Sequence, residues 1–142
     1  MATQTLYSTT ATATGGRDGH SRTQDGSLDV TLAVPKEMGG NGAGNNPEQL
    51  FAAGYAACFL GAMKFAASQG KDLPRVPADA TVSATVAIGP RADKGFGLKV
   101  ALSITLPGVE RAAAEALVAE ADTICPYSHA TRGNITVDIT VA

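Results

Sequence analysis

Asn46-Pro47-Glu48-Gln49-Leu50-Phe51-Ala52-Ala53-Gly54-Tyr55-Ala56-Ala57-Cys58-Phe59-Leu60-Gly61-Ala62-Met63-Lys64-Phe65 decides the fold. It reads as the start and body of one long helix. Pro47 fits the first helical position, where its missing N–H costs nothing. Asn46 is a good N-cap, and Gln49 can reach back to complete a capping box. Glu48 lies in the first turn, where the helix dipole favours a carboxylate. No further charge follows until Lys64. A helix apolar on nearly every face is expected to be buried on nearly every side. Phe51, Tyr55, Cys58, Ala62 and Phe65 share one face by the helical period, so Cys58 projects from mid-helix beside aromatics. The small residues Ala52, Ala53, Gly54, Ala56, Ala57 and Gly61 would let another helix come close.

Around this helix the chain reads as one domain, residues 1–142, large enough to form a core without disulfides. Hydrophobic residues make up 44% and charged residues 17%. So low a charge, with so apolar a helix, points to apolar surface covered by a second subunit. A net charge of −2 and a pI near 5.6 leave no electrostatic footprint for nucleic acid or an anionic membrane. Met1 to Gly16 is rich in Thr and Ala, without the basic start or apolar run of a secretory signal. The longest uninterrupted apolar run is far short of a bilayer span. The expected location is the cytoplasm, where a disulfide is more often catalytic or redox-sensing than structural.

Upstream, Leu6 to Thr14 reads as a strand and Gly15-Gly16-Arg17-Asp18-Gly19 as a tight turn. His20 to Gln24 and Ser27 to Val34 read as a hairpin about Asp25-Gly26, with Leu28, Val30, Leu32 and Val34 alternating. Gly39 to Asn46 is expected to be a flexible connector. It lacks the Gly-Lys-Ser/Thr ending of a phosphate-binding loop. Downstream of the helix, which should stop at Gly70, Thr81 to Ile88 and Phe96 to Leu106 are strands. Glu110 to Ile124 is an amphipathic helix with Leu117, Ala121 and Ile124 inward. Pro126 disfavours helical geometry at Cys125 and ends that helix. Asn134 to Val141 is the last strand. The order βββαββαβ predicts an α+β domain of mostly antiparallel strands packed on a long central helix.

Cys58 and Cys125 are the only cysteines. Each alone is as well explained as a buried core residue. A buried thiol has a raised pKa and is inert, so a reactive Cys58 needs a cation. The helix N-terminus is too far away, because its field fades within the first turn. A guanidinium, always charged and tolerant of burial, suits best. Cys125 stands at a helix end, in Cys125-Pro126-Tyr127-Ser128-His129.

Gly15-Gly16-Arg17-Asp18-Gly19, the segment Asn46 to Phe59, and Cys125-Pro126-Tyr127-Ser128 together resemble the organic hydroperoxide resistance (Ohr) family of the Ohr/OsmC superfamily. The resemblance runs through essentially the whole chain. It implies an OsmC-like fold in an intertwined homodimer, with Cys58 as peroxidatic and Cys125 as resolving cysteine. It also implies Arg17 as the arginine that stabilises the thiolate and Glu48 as the carboxylate that orients it. Alkyl and fatty-acid hydroperoxides are the implied substrates. A lipoyl dithiol, on a lipoylated protein or as dihydrolipoamide, is the implied reductant, and no cofactor or metal is needed. Phe51, Tyr55 and Tyr127 are the candidate substrate contacts, although aromatics so spaced also serve as core filling. The chemistry fits the residues: a thiolate attacks the peroxide, a sulfenic acid forms, and a second thiol condenses with it to a disulfide. Three other readings stand beside this one. They are the OsmC branch, a metal site of Cys58, Cys125, His129 and His20 with poor zinc spacing, and a binding module for apolar molecules. The two histidines receive no role.

Overall fold

A computed structural model describes residues 4–70 and 72–142. Met1 to Thr3, the start of the Thr- and Ala-rich stretch, lie outside the described residues. The chain divides into two units, Met1–Leu50 and Phe51–Ala142.

The first unit holds an antiparallel sheet in the order β1-β2-β3, from β1 (Ala11–Thr14), β2 (His20–Thr23) and β3 (Asp29–Thr31). The expected strands are present but shorter. The hairpin forms where Asp25-Gly26 predicts it, but its loop is longer than two residues. The Thr23 amide donates to the Leu28 carbonyl, and Asp25 Oδ1 gathers Thr23 Oγ1, the Ser27 amide and Ser27 Oγ. The aspartate side chain thus builds the turn itself. Beyond Thr31 the chain leaves the sheet to pair with its own connector: Ala33 donates to the Asn45 carbonyl and Asn45 to the Thr31 carbonyl. The Gly39–Asn46 connector is therefore bonded in place rather than free. Two of its glycines serve close approach: a Cβ on Gly44 would sit 2.7 Å from the Thr31 carbonyl oxygen and one on Gly40 2.1 Å from that of Val34.

Helix α1 (Pro47–Ala67) begins as its sequence predicts. The Gln49 amide donates to Asn46 Oδ1 (2.9 Å) and the Asn46 amide to Gln49 Oε1 (3.2 Å), a complete capping box. By length and composition α1 could cross a membrane, a test that core helices also pass. Counting only uninterrupted apolar residues understated it.

In the second unit, β4 (Thr81–Pro90) and β5 (Phe96–Thr105) pair antiparallel from Thr81↔Thr105 to Pro90↔Phe96. β6 (Val137–Val141) then pairs parallel to β5. The connection back to β6 runs through α2 (Arg111–Ile124) and a short α3 (Pro126–Thr131) that the sequence reading did not separate. Glu110 is the cap of α2, its carboxylate accepting from the Ala112 and Ala113 amides. Cys125 takes an extended ψ of 120° between the helices, as the following proline requires, and Pro126 opens α3.

The second unit's core joins Tyr55, Phe59, Ala62, Met63 and Ala66 of α1 to Val100, Leu102 and Ile104 of β5 and to Leu117, Val118 and Ala121 of α2. Each fully buried large side chain contributes about 1.5–3 kcal/mol. The buried face of α1 is rotated from the expected one: Phe59 and Met63 are fully buried, whereas Phe65 is 55% exposed. A helix apolar all round gives no preferred face, so the periodicity could not fix its phase. Nor is α1 buried on every side. Only 28% of its most apolar stretch is buried, and Ala53, Ala57, Gly61 and Phe65 form an exposed stripe.

Candidate active site

In the first unit Arg17 lies on a single 3-10 turn, Gly16–Asp18, between β1 and β2. Its Nη1 donates to Glu48 Oε1 at 2.8 Å and its Nη2 to Glu48 Oε2 at 2.9 Å. This two-pronged geometry fixes the guanidinium plane, which a lysine could not do. The pair is partly screened from water, with side chains 32% and 15% exposed. The hydrogen bond from Arg17 holds the Glu48 carboxyl below its usual range, against the upward push of burial.

In the second unit Cys58 and Cys125 are free thiols with their sulfurs 3.5 Å apart. Cys58 is half-buried in the middle of α1, and Cys125 is fully buried at the junction of α2 and α3. Burial pushes the Cys58 thiol up, and the neighbouring Cys125 adds to this. A backbone hydrogen bond from Tyr127 works the other way, because an N–H aimed at sulfur favours the thiolate.

Aromatic rings crowd the same region. Tyr127 lies 6.0 Å from Phe51 and 5.6 Å from Tyr55 between ring centroids, and Phe51 meets Tyr55 edge-on at 6.1 Å. Gly54 makes room for this: a Cβ there would lie 2.7 Å from Tyr127 Oη. The sequence reading gave Gly54 to helix–helix packing, but here it seats a ring. Phe51 and Tyr127 also line a cavity of about 950 Å³ with Phe96, Leu98, Ile135 and, at its polar rim, Arg91. Tyr55 lies behind those rings with no exposure, its hydroxyl bonded to Ser128 Oγ and Thr131 Oγ1. Ser128 and Thr131 were not anticipated; their only sequence signal is a spacing of three just after Pro126. His20 is paired with Asp29, and His129 is exposed on α3. Among the described residues, no three His, Cys, Asp or Glu side chains gather as a metal site would need.

The family model of OsmC-like protein matches residues 39–140. The chain belongs to the OsmC-like family. Within it, the chain is similar to the organic hydroperoxide resistance (Ohr) proteins. That of Xanthomonas axonopodis pv. citri is 51% identical over 138 residues, covering 96% of this chain and 95% of the relative. A solved structure of an organic hydroperoxide resistance protein from Legionella pneumophila matches at a TM-score of 0.89 and 47% identity, over 98% and 99% of the two chains. One from Vibrio cholerae, with captopril bound in one of its active sites, matches at 0.90 and 48%, over 97% and 93%. The OsmC-like fold is therefore common to all of them; in this chain Cys58 stands on α1 and Cys125 at the α2–α3 junction.

Proposed function

We propose that this protein is a thiol-dependent peroxidase that reduces organic hydroperoxides, alkyl and fatty-acid, to alcohols. The observation that carries the reading is the pair of free thiols 3.5 Å apart, in a chain whose close relatives are named for organic hydroperoxide resistance. The Cys58 thiolate attacks the distal peroxide oxygen, the alcohol leaves with a proton, and Cys58 becomes a sulfenic acid. The Cys125 thiol then displaces water from that sulfenic acid, closing a disulfide. The sulfurs need only move from 3.5 Å to the bond length of about 2.05 Å. A lipoyl dithiol, free as dihydrolipoamide or carried on a lipoylated protein, reduces the disulfide by exchange.

Burial raises the Cys58 pKa, so the reactive thiolate needs a positive charge. Arg17, held in plane by Glu48, is the proposed source. Phe51 and Tyr127 are the proposed substrate contacts, since with Phe96, Leu98 and Ile135 they give their cavity an apolar side, which suits a carbon-rich peroxide better than hydrogen peroxide. Tyr55 supports that wall from behind. The single domain is proposed to work as an intertwined homodimer, with a second copy covering the exposed stripe of α1. A cytoplasmic location, where thiols are kept reduced, suits a cysteine pair that cycles.

The test is mass spectrometry and turnover on two variants. Cys58→Ser should abolish peroxide reduction. Cys125→Ser should retain one turnover, lose cycling with dihydrolipoamide, and accumulate over-oxidised Cys58. A Cys58→Ser protein that still turns over, with oxidation on Cys125, would reverse the assignment. Equal efficiency toward hydrogen peroxide and cumene hydroperoxide would overturn the apolar-substrate reading.

A further inference from the structure

The thiol-bearing segments also carry a hydrogen-bonded cluster of three buried hydroxyls. Tyr55 Oη lies 2.8 Å from Ser128 Oγ and 3.2 Å from Thr131 Oγ1, and Thr131 Oγ1 donates to the Ser128 carbonyl at 3.2 Å. When Thr131 Oγ1 donates to the carbonyl, it accepts from Tyr55, and Tyr55 in turn accepts from Ser128. Each hydroxyl donates once, and all three residues are buried, at 0%, 2% and 6% exposure. The three hydroxyls of this cluster therefore satisfy one another.

Its position relative to the thiols gives it a use. Tyr55 is three residues before Cys58 on α1, and Ser128 is three residues after Cys125 on α3. The two segments are therefore joined twice, by the thiol contact at 3.5 Å and by the Tyr55–Ser128 bond at 2.8 Å. On the outer side, Arg132 donates to the Asp122 carbonyl at 2.6 Å and fastens the far end of α3 back to α2.

We propose that Tyr55 is a positioning residue: through Ser128 and Thr131 it locks α3, and with it Cys125, at bonding range of Cys58. This rests on the peroxidase reading for its biological meaning. Oxidised Cys58 has two fates. Its sulfenic acid condenses with the Cys125 thiol to the disulfide and water. Alternatively, it is oxidised by a second hydroperoxide to the sulfinic acid and an alcohol, which is not readily reversed. The first is intramolecular, and its rate depends on how well the second thiol is held. The second depends only on peroxide concentration. Locking α3 therefore protects the enzyme from its own substrate.

The experiment uses Tyr55→Phe, which keeps the ring and removes the hydroxyl, with Thr131→Val as a cut from the other side. The first arm equilibrates the full-length protein with defined ratios of reduced and oxidised dithiothreitol and reads the Cys58–Cys125 disulfide by mass. Tyr55→Phe removes two buried hydrogen bonds and should lower the thiol pair's effective concentration roughly tenfold. This arm needs no peroxidase activity, so it stands even if the peroxidase reading fails. The second arm titrates cumene hydroperoxide. Sulfinic acid on Cys58 should appear at roughly tenfold lower peroxide than in the parent. In a Cys125→Ser background, Tyr55→Phe should add nothing, because no thiol is left to position. An unchanged disulfide equilibrium in both variants overturns the proposal. So does an equal rise in sulfinic acid with and without Cys125, which would mean that Tyr55 acts on Cys58 directly. A parent protein that forms the disulfide in the buffer but ignores hydroperoxide would refute the peroxidase reading alone.

Discussion

Gly54→Ala should change what the site accepts more than it changes stability. Gly54 is inside α1, where alanine is favoured over glycine by about 0.8–1.0 kcal/mol. Against this, the new Cβ would lie 2.7 Å from Tyr127 Oη and 3.2 Å from Cε2 and Cζ. The oxygen must retreat by about 0.7 Å to reach ordinary contact. Overpacking in a closed core costs about 1–3 kcal/mol. Tyr127 is 37% exposed and can tilt toward solvent, so the low end applies. The two effects nearly cancel, and the melting temperature should move by no more than about 4 °C. The tilted ring, however, intrudes on the cavity wall that it shares with Phe51. Turnover with dihydrolipoamide should fall for cumene hydroperoxide several times more than for the smaller tert-butyl hydroperoxide. A variant stabilised by the full helix-propensity gain, with both substrates unaffected, would show that Tyr127 does not rest on Gly54.

Two further outcomes follow from the Arg17–Glu48 pair. Glu48→Gln should cost about 1–2 kcal/mol at pH 7, by loss of a charge-assisted pair that is only partly buried. The folded carboxyl titrates below its unfolded value, so the contribution is present above about pH 4.3 and is lost as pH falls through the depressed folded value. Urea midpoints of parent and variant should therefore converge in acid, and a gap independent of pH would refute the linkage. The second outcome concerns subunits: Glu48 and Cys58 are ten residues apart on α1, roughly 15 Å along its axis. In the proposed homodimer this favours Glu48 serving the other subunit's Cys58. Arg17 is bonded to Glu48 of its own chain, so the two would cross together. A mixed dimer of Cys58→Ser with Glu48→Ala should then regain one good site. Activity no higher than that of the Glu48→Ala homodimer would mean that Glu48 acts within its own chain.

Much of this was legible in the sequence where one local rule decides. The Asn46 cap, the break at Cys125-Pro126 and the alternation of β4 and β5 each depend on neighbours in the chain, and each appears as read. The phase of α1 was not legible, because its hydrophobicity is spread around the helix and only tertiary packing selects a face. The end of β3 depended on the connector handing its hydrogen bonds to Thr31 and Ala33, which no strand propensity encodes. The two thiols stood out by residue type and setting, whereas Arg17 and Glu48 were named only through the family resemblance, and the roles of Ser128, Thr131 and Gly54 exist only between segments distant in sequence.

The cluster of aromatic rings has an optical consequence. The chain has no tryptophan and three tyrosines, of which Tyr55 and Tyr127 stand 5.6 Å apart beside the thiols. Tyrosine emission is therefore not masked by a brighter fluorophore, and two of its three sources lie on the segments that carry the thiols. If the thiol pair cycles as proposed, a change in sulfur oxidation state should alter their emission, and stopped flow should follow it without a label, a coupled reductant or a mutation.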